Sequence, residues 1–393
     1  MSDAYVVAAV RTPVARAFKG AFRNYRPDDL LADALRSALA EVPELDPGRV
    51  EDVIVGCAMP EAEQGMNVAR IGALLAGLPD TVPGVTVNRF CSSGLQTVAM
   101  AADRIRLGEA DVMIAAGTET MTMVPMMGHK VAMNPKVFSD DNVAIAYGMG
   151  ITAEKVAKEW NVSRQDQDEF AYQSHQKALA AIDGGEFTEI RPVTVTNRIP
   201  DPKSGQVREI ETVVDTDEGP RRDTAPEALG KLRPVFDAKG SVTAGTSSQM
   251  SDGAGALILV SERVVKELNL EPLAVFRGFS VAGVRPEVMG IGPIEAIPKV
   301  LGQTGINKDD LDWIELNEAF AAQALAVMRT TELDPEKVNP LGGAIALGHP
   351  LGATGAILSA KLIHGLKRRQ QRYGMVTMCI GTGMGAAGIF ERV

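Results

Sequence analysis

An internal repeat constrains this chain more than any other feature. "DLLADALRSALAEV" followed by "DPGRVEDVIVG" (29–56) has the layout of "PIEAIPKVLGQTG" followed by "NKDDLDWIELN" (293–317): amphipathic helix, polar turn, buried strand. The strands "GVTVN" and "PEKVN", ending at Asn88 and Asn339, each lead into a glycine-containing turn and a long helix. In the first of these helices Leu95, Val98, Ala102 and Ile105 fall at helical spacing, with Ser92 and Ser93 as capping residues and Gly108 as a stop. The second is expected from about Gly352 to Arg369, with Leu358, Leu362, Ile363 and Leu366 inward. An apolar strand follows each helix, "ADVMIAAG" (110–117) and "GMVTMCIG" (374–381). Two such halves imply two packed α/β units, and the unbroken apolar strands imply sheets covered on both faces.

Between the halves the text changes character. From about Thr118 to Thr243 it holds a Met-rich segment, "MTMVPMMGHKVAMNP", helices near 152–160 and 163–182, and the polar stretch "RIPDPKSGQVREIETVVDTDEGPRRDTAPE". This reads as an insertion on the first half, of the kind that carries ligand contacts over a rigid scaffold. The expected division is 1–117 with 244–270 as the N-terminal half, 118–243 as the inserted loop domain, and 271–393 as the C-terminal half.

With 393 residues, 45% of them hydrophobic, the chain can bury a large core. An excess of 50 acidic over 40 basic residues argues against a nucleic-acid or membrane-surface partner. Cys57, Cys91 and Cys379 are few, odd in number and far apart, so neither a disulfide framework nor a zinc site is indicated, and a reducing compartment fits. The N-terminus shows no signal-peptide pattern, no apolar run reaches a membrane-spanning length, and the terminal "ERV" is not a peroxisomal address. A cytoplasmic location is expected.

Cys91, in "NRFCSSGLQ", stands at the mouth of a helix. Buried cysteine commonly serves as a small hydrophobe. A helix N-terminus, however, offers unpaired N–H groups and the positive end of a dipole, which favour thiolate and pre-activate a nucleophile. Such a thiol needs a base, and the chain has four histidines. His175 and His364 lie in charged helical text and read as solvated, while His129 has no motif of its own. His349, in "NPLGGAIALGHPLGATGA", occupies the turn that the repeat pairs with the Cys91 turn; it is either a structural loop histidine or the base. Cys379 ends a strand at the sheet edge where open α/β folds bind ligands. "GMGAAG" (383–388) fits G-x-G-x-x-G but lacks a following helix and acidic residue, which excludes a dinucleotide site. Asn317, in "NEAF", is a turn former or a holder of water or a carbonyl oxygen.

"VNRFCSSGLQ", "NEAFAAQ", "GGAIALGHPLGATGA" and "CIGTGMGAAGIFE" together resemble the four signature blocks of the thiolases, in order and spacing over essentially the whole chain. The resemblance implies a duplicated thiolase fold with a five-layered αβαβα core and an inserted loop domain that helps bind coenzyme A. It implies Cys91 as the acylated nucleophile, His349 as its base and Cys379 as the acid/base. Asn317 then holds an oxyanion-hole water, and Gly381 is the backbone donor paired with the Cys91 N–H. For coenzyme A it points to Arg221 near the adenine and phosphates, and to Ser248, Ala244 and Gly245 along the pantetheine; Arg221 and Arg222 also read simply as a solvated loop pair. No tightly bound cofactor is expected, coenzyme A being a co-substrate.

Cleaving a 3-ketoacyl thioester between C2 and C3 suits this set. Thiolate attacks a ketone and later leaves, two developing oxyanions need two donor pockets, and a second titratable group must protonate the departing carbanion. Thr382, where many acetoacetyl-CoA thiolases have glycine, and Gly148, where they have histidine, make the chain look more like degradative 3-ketoacyl-CoA thiolases of fatty acid β-oxidation. The short segment from Glu119 to Tyr147 favours a homodimer, with a tetramer or a subunit of a β-oxidation complex as the alternatives. An acetoacetyl-CoA thiolase is the alternative, and a non-catalytic lipid carrier a more distant one.

Overall fold

A computed structural model describes residues 3–393. The first half comprises β1 (Ala4–Arg11), the two-residue β2 (Ala15–Arg16), α1 (Pro27–Ala40), β3 (Asp52–Gly56), α2 (Val68–Leu75), β4 (Gly84–Val87), α3 (Ser93–Arg106) and β5 (Val112–Thr120). The insertion holds α4 (Met149–Glu159), α5 (Arg164–Asp183), the hairpin β6 (Val193–Pro200) and β7 (Val207–Val214), and α6 (Pro226–Gly230). The chain then returns through β8 (Ser251–Ser261) and α7 (Glu262–Leu268). The second half runs β9 (Ala274–Gly283), α8 (Gly292–Thr304), β10 (Leu311–Leu316), α9 (Ala321–Thr331), α10 (Ala344–Leu347), α11 (Thr354–Arg369), β11 (Tyr373–Ile380) and β12 (Met384–Arg392).

Local chemistry explains several boundaries. Pro27 opens α1 at the position where no N–H is needed, and Asp28 and Asp29 meet the positive end of its dipole. Ser163 and Asp166 form a reciprocal capping box on α5. At α3 the expected serine cap is absent: Ser92 makes no capping bond, and the Ser93 hydroxyl instead accepts from Arg89 N at 2.9 Å and donates to Phe90 O at 2.7 Å. The expected strand "PEKVN" shrinks to a single bridge, Ile314 to Val338, because residues 334–337 close a turn in which Lys337 N donates to Asp334 O at 3.0 Å.

Strand order is β10-β11-β12-β9-β1-β8-β5-β3-β4, with β2 attached to β8. The two halves therefore share one sheet, joined antiparallel at a short seam where Tyr5 faces Val275 and Val6 faces Ala274. Around that seam the sheet folds over α3 and α11, giving the five layers. One core joins Leu95, Val98 and Ile105 of α3 to Leu362, Ile363 and Leu366 of α11, and reaches Ile54 on one side and Trp313 and Phe390 on the other. Each such fully buried leucine or phenylalanine contributes about 1.5–3 kcal/mol. Separate clusters seat α1 on the first half and α8 with α9 on the second.

The central helices touch through glycine. A Cβ on Gly355 would lie 2.1 Å from Leu95 N, and one on Gly94 would lie 2.6 Å from Ala356 N. No side chain fits at either position, so the N-terminal turns of α3 and α11 meet backbone to backbone. Register through this contact makes Gly352, rather than His349, the counterpart of Cys91; His349 lies three residues earlier, opposite Asn88. The insertion is tied down at Arg11, fully buried, which binds Glu189 at 2.9 Å and Asp217 at 2.7 Å.

Candidate active site

Single 3-10 turns precede both central helices, Phe90–Ser92 before α3 and Leu351–Ala353 before α11, and they pack on each other. Cys91 joins Ala58, Met121 and Leu351 in one apolar cluster, flanked by Phe90 and Met59. The residue is 8% exposed and sits on the wall of a cavity of about 450 Å³. Gly381, Thr382, Phe90, Met149 and the Met-rich segment line the same cavity. Phe90 (φ 45°) and Thr382 (φ 66°) are both left-handed without being glycine. Such conformations cost on the order of 1 kcal/mol or more and persist only where the surroundings enforce them, here on either side of Cys91.

The backbone N–H groups of Gly381 and of Cys91 itself act to lower the thiol. The pre-activation expected from the helix mouth is overturned, because burial outweighs those donors and pushes the thiol up to about 11. Cys379, fully buried at the end of β11, is also pushed up, by burial first and by its neighbour Cys91 second. Both sulfurs therefore rest as thiols, and a base is required.

His349 meets that need. Its backbone N–H donates to Gln249 O at 3.1 Å, and Nδ1 lies 2.6 Å from Thr354 Oγ1. The Thr354 hydroxyl donates to Pro350 O at 3.1 Å, so its oxygen accepts from Nδ1–H and Nε2 keeps a free lone pair. Asn317 Nδ2 faces that Nε2 at 3.3 Å, while its buried Oδ1 has no partner among the described residues. Burial lowers the imidazole to about 4, keeping it neutral near pH 7. Thr354 was not singled out from sequence, although it lies in the same block, "GHPLGATGA".

Beyond His349 opens a second pocket, of about 240 Å³, lined by Arg221, Ala244, Gly245, Ser247, Gln249 and His175. Ser248 lies beside it, its N–H donating to Ala319 O at 2.9 Å, while Ser247 faces the pocket. Arg222 turns away to an exposed pair with Asp183, whereas Arg221 faces inward. His175 is not solvated: it is 4% exposed and its Nδ1 accepts from Arg221 N at 3.2 Å. His364 is likewise half-buried, its Nε2 2.9 Å from Ala9 O. Helix periodicity missed both because the insertion covers the faces they occupy.

The structure thus gathers Cys91, Gly381 and Cys379 on one side and His349 with Asn317 on the other, joined through the packed 3-10 turns. A duplicated fold with a buried thiol pair and a neutral imidazole defines an acyl-transfer class of protein. Profiles for the N-terminal and C-terminal domains of thiolase match residues 4–263 and 270–392, and the chain belongs to the thiolase family. It is 52% identical to 3-ketoacyl-CoA thiolase of Bacillus subtilis, each chain being covered fully, and 47% identical to mouse peroxisomal 3-ketoacyl-CoA thiolase A over 99% of this chain and 91% of that one. Among solved structures, human mitochondrial 3-ketoacyl-CoA thiolase superposes with a TM-score of 0.89 at 38% identity. Bacillus anthracis acetyl-CoA acetyltransferase superposes with 0.90 at 39%. Each alignment spans 100% of this chain and 99% of the other. Among the described residues, no helix is long and apolar enough to cross a membrane.

Proposed function

We infer that this chain is an acetyl-CoA C-acyltransferase, cleaving 3-ketoacyl-CoA with coenzyme A in fatty acid β-oxidation. The observation that carries the residue assignments is the neutral, oriented His349, in the turn that packs against the one carrying Cys91.

In this reading His349 Nε2 takes the Cys91 proton as sulfur attacks C3. The C2–C3 bond then breaks, Cys379 protonates C2 of the departing acetyl-CoA, and an acyl-Cys91 thioester remains. Incoming coenzyme A gives its thiol proton to the Cys379 thiolate and attacks the thioester; Cys91 leaves and regains its proton from His349. Charge on the substrate oxygens is met by the Gly381 and Cys91 N–H pair and by a water held by Asn317. Raised thiol pKa values suit this scheme, since each sulfur gives up its proton only to a positioned partner.

Coenzyme A is read as a co-substrate, with no tightly bound cofactor, lying from the Arg221 pocket past Ala244, Gly245 and Ser248 towards His349. The apolar, Met-lined cavity supports acyl chains longer than acetoacetyl. Acetoacetyl-CoA thiolase remains the second reading, favoured by the acetyltransferase neighbour. Relative turnover of acetoacetyl-CoA and 3-ketododecanoyl-CoA decides between them. A homodimer is supported by β4, an unpaired sheet edge beside exposed Met66, Leu74, Leu75 and Val85. Three free cysteines suit a cytoplasmic location.

Mass spectrometry after incubation with acetyl-CoA tests the assignments. Cys91→Ser should carry no acyl group, while Cys379→Ser should still be acylated yet fail to make or break the carbon–carbon bond. Acylation elsewhere than Cys91, or equal loss of both steps in Cys379→Ser, would contradict these roles.

A further inference from the structure

One buried group beside this site has no part in the chemistry above. Glu119, in β5, is completely buried and forms no ion pair among the described residues. Its Oε2 accepts from Ala58 N at 2.7 Å and Gly352 N at 2.8 Å, and its Oε1 from Met59 N at 3.2 Å and from Gln64 Nε2. The Gln64 amide is oriented by Thr120 N, which donates to Gln64 Oε1 at 3.1 Å, so the Nε2 end must face the carboxylate. Cys57 Sγ, at 3.9 Å, is a weak donor. Every neighbour donates and none accepts, leaving a carboxyl proton without a partner. Burial raises this carboxyl overall, against the pull of its donors; because every neighbour donates, the anion is nonetheless the form they satisfy.

What those donors belong to gives the residue its role. Gly352 is the Cys91 counterpart, in the turn that begins three residues earlier with His349; Ala58 and Leu351 pack directly against Cys91. A Cβ on Gly352 would lie 2.6 Å from Ala58 N, so the loop after β3 and the second-half turn meet here without slack. We propose that Glu119 is a positioning residue for thiolysis: its carboxylate fastens the turn carrying His349 to the floor beneath Cys91. The proposal rests on reading Cys91 as the nucleophile.

Charged and titratable groups around Cys91 are few. Glu119 acts on it from β5 and Cys379 from β11, with Cys57 behind Glu119, Glu61 and Lys130 on the cavity wall, and His349 in the neighbouring turn before α11. Among these, Glu119 is the buried anion acting on the Cys91 thiol.

The test is the pH dependence of Cys91 alkylation by iodoacetamide, read by mass spectrometry, in the wild-type protein and Glu119→Gln. The glutamine keeps shape but removes the charge and one acceptor, so the turn loosens and the alkylation midpoint should fall. The turnover number should fall about tenfold or more, with KM for coenzyme A little changed. A residue that merely filled space would move neither the midpoint nor the ratio of these constants. A midpoint that coincides with wild type overturns the proposal. Should the variant fail to fold, Glu119→Asp serves in its place: it keeps the charge but draws it back from the Gly352 and Ala58 N–H groups, so its turnover number should fall, and one equal to wild type refutes the proposal. Wild-type acylation of Cys91 by acetyl-CoA, measured alongside, separates failure of this proposal from failure of the functional reading.

Discussion

Thr354→Val is the sharpest probe of the base. Valine matches threonine in shape but removes the oxygen that lies 2.6 Å from His349 Nδ1. Leaving a buried N–H without a partner costs about 1–3 kcal/mol. The imidazole can escape that cost by moving its proton to Nε2, provided the Asn317 amide turns its partnerless Oδ1 to accept it. The tautomer with a bare Nε2 is the one that removes the Cys91 proton, and its loss by the same energy lowers the turnover number roughly tenfold to hundredfold. Steady-state thiolysis and single-turnover acylation should both fall, while KM for coenzyme A stays near wild type. Thr354→Ser, which restores the oxygen, should recover most of the rate. A Thr354→Val enzyme within twofold of wild type, folded to the same melting temperature, would refute the assignment of Nδ1–H to Thr354 and with it the role of Nε2.

Two further outcomes follow from burial. Because His349 is lowered to about 4 in the folded chain, an unfolded chain binds a proton there below about pH 6.5 that the folded one refuses. Stability therefore rises with pH through this window, by at most about 1.4 kcal/mol per pH unit from this residue, and is lost as pH falls towards 4. Calorimetry from pH 7 to 5 should show a shallower decline for His349→Asn; parallel curves would exclude the linkage. Separately, Glu61 Oε1 accepts from His129 N at 3.0 Å and Lys130 N at 3.2 Å, holding the Met-rich segment over the cavity. Glu61→Ala should lower kcat/KM for a 3-ketododecanoyl substrate about five- to tenfold while sparing acetoacetyl-CoA, and equal effects on both would show that the segment does not contact the acyl chain.

Much of the framework could be read from local pattern. Helical spacing from Leu95 to Ile105 and from Leu358 to Leu366 marked the two central helices, and the repeat around them placed Cys91 and His349 in facing turns. Properties set by what covers a residue could not be read that way. Cys91 looked acidified because a helix mouth is visible in the sequence, whereas the apolar cluster that desolvates it is assembled from four distant segments. His175 lay among charged residues yet is sealed by the insertion, and Glu119 ended an apolar strand with nothing to mark the five donors that surround it. Thr354 escaped notice for a simpler reason: its partner is a ring nitrogen whose direction only coordinates reveal.

The backbone contact between Gly94 and Gly355 has a further consequence for how such an enzyme can diversify. A methyl group on either glycine would wedge apart the unit that carries Cys91 and the unit that carries His349, so their two helix mouths sit as close as the backbones allow. Variation that tunes substrate choice must therefore come from the roof and walls of the acyl cavity, where side chains are free to change size, and not from any shift of one half against the other.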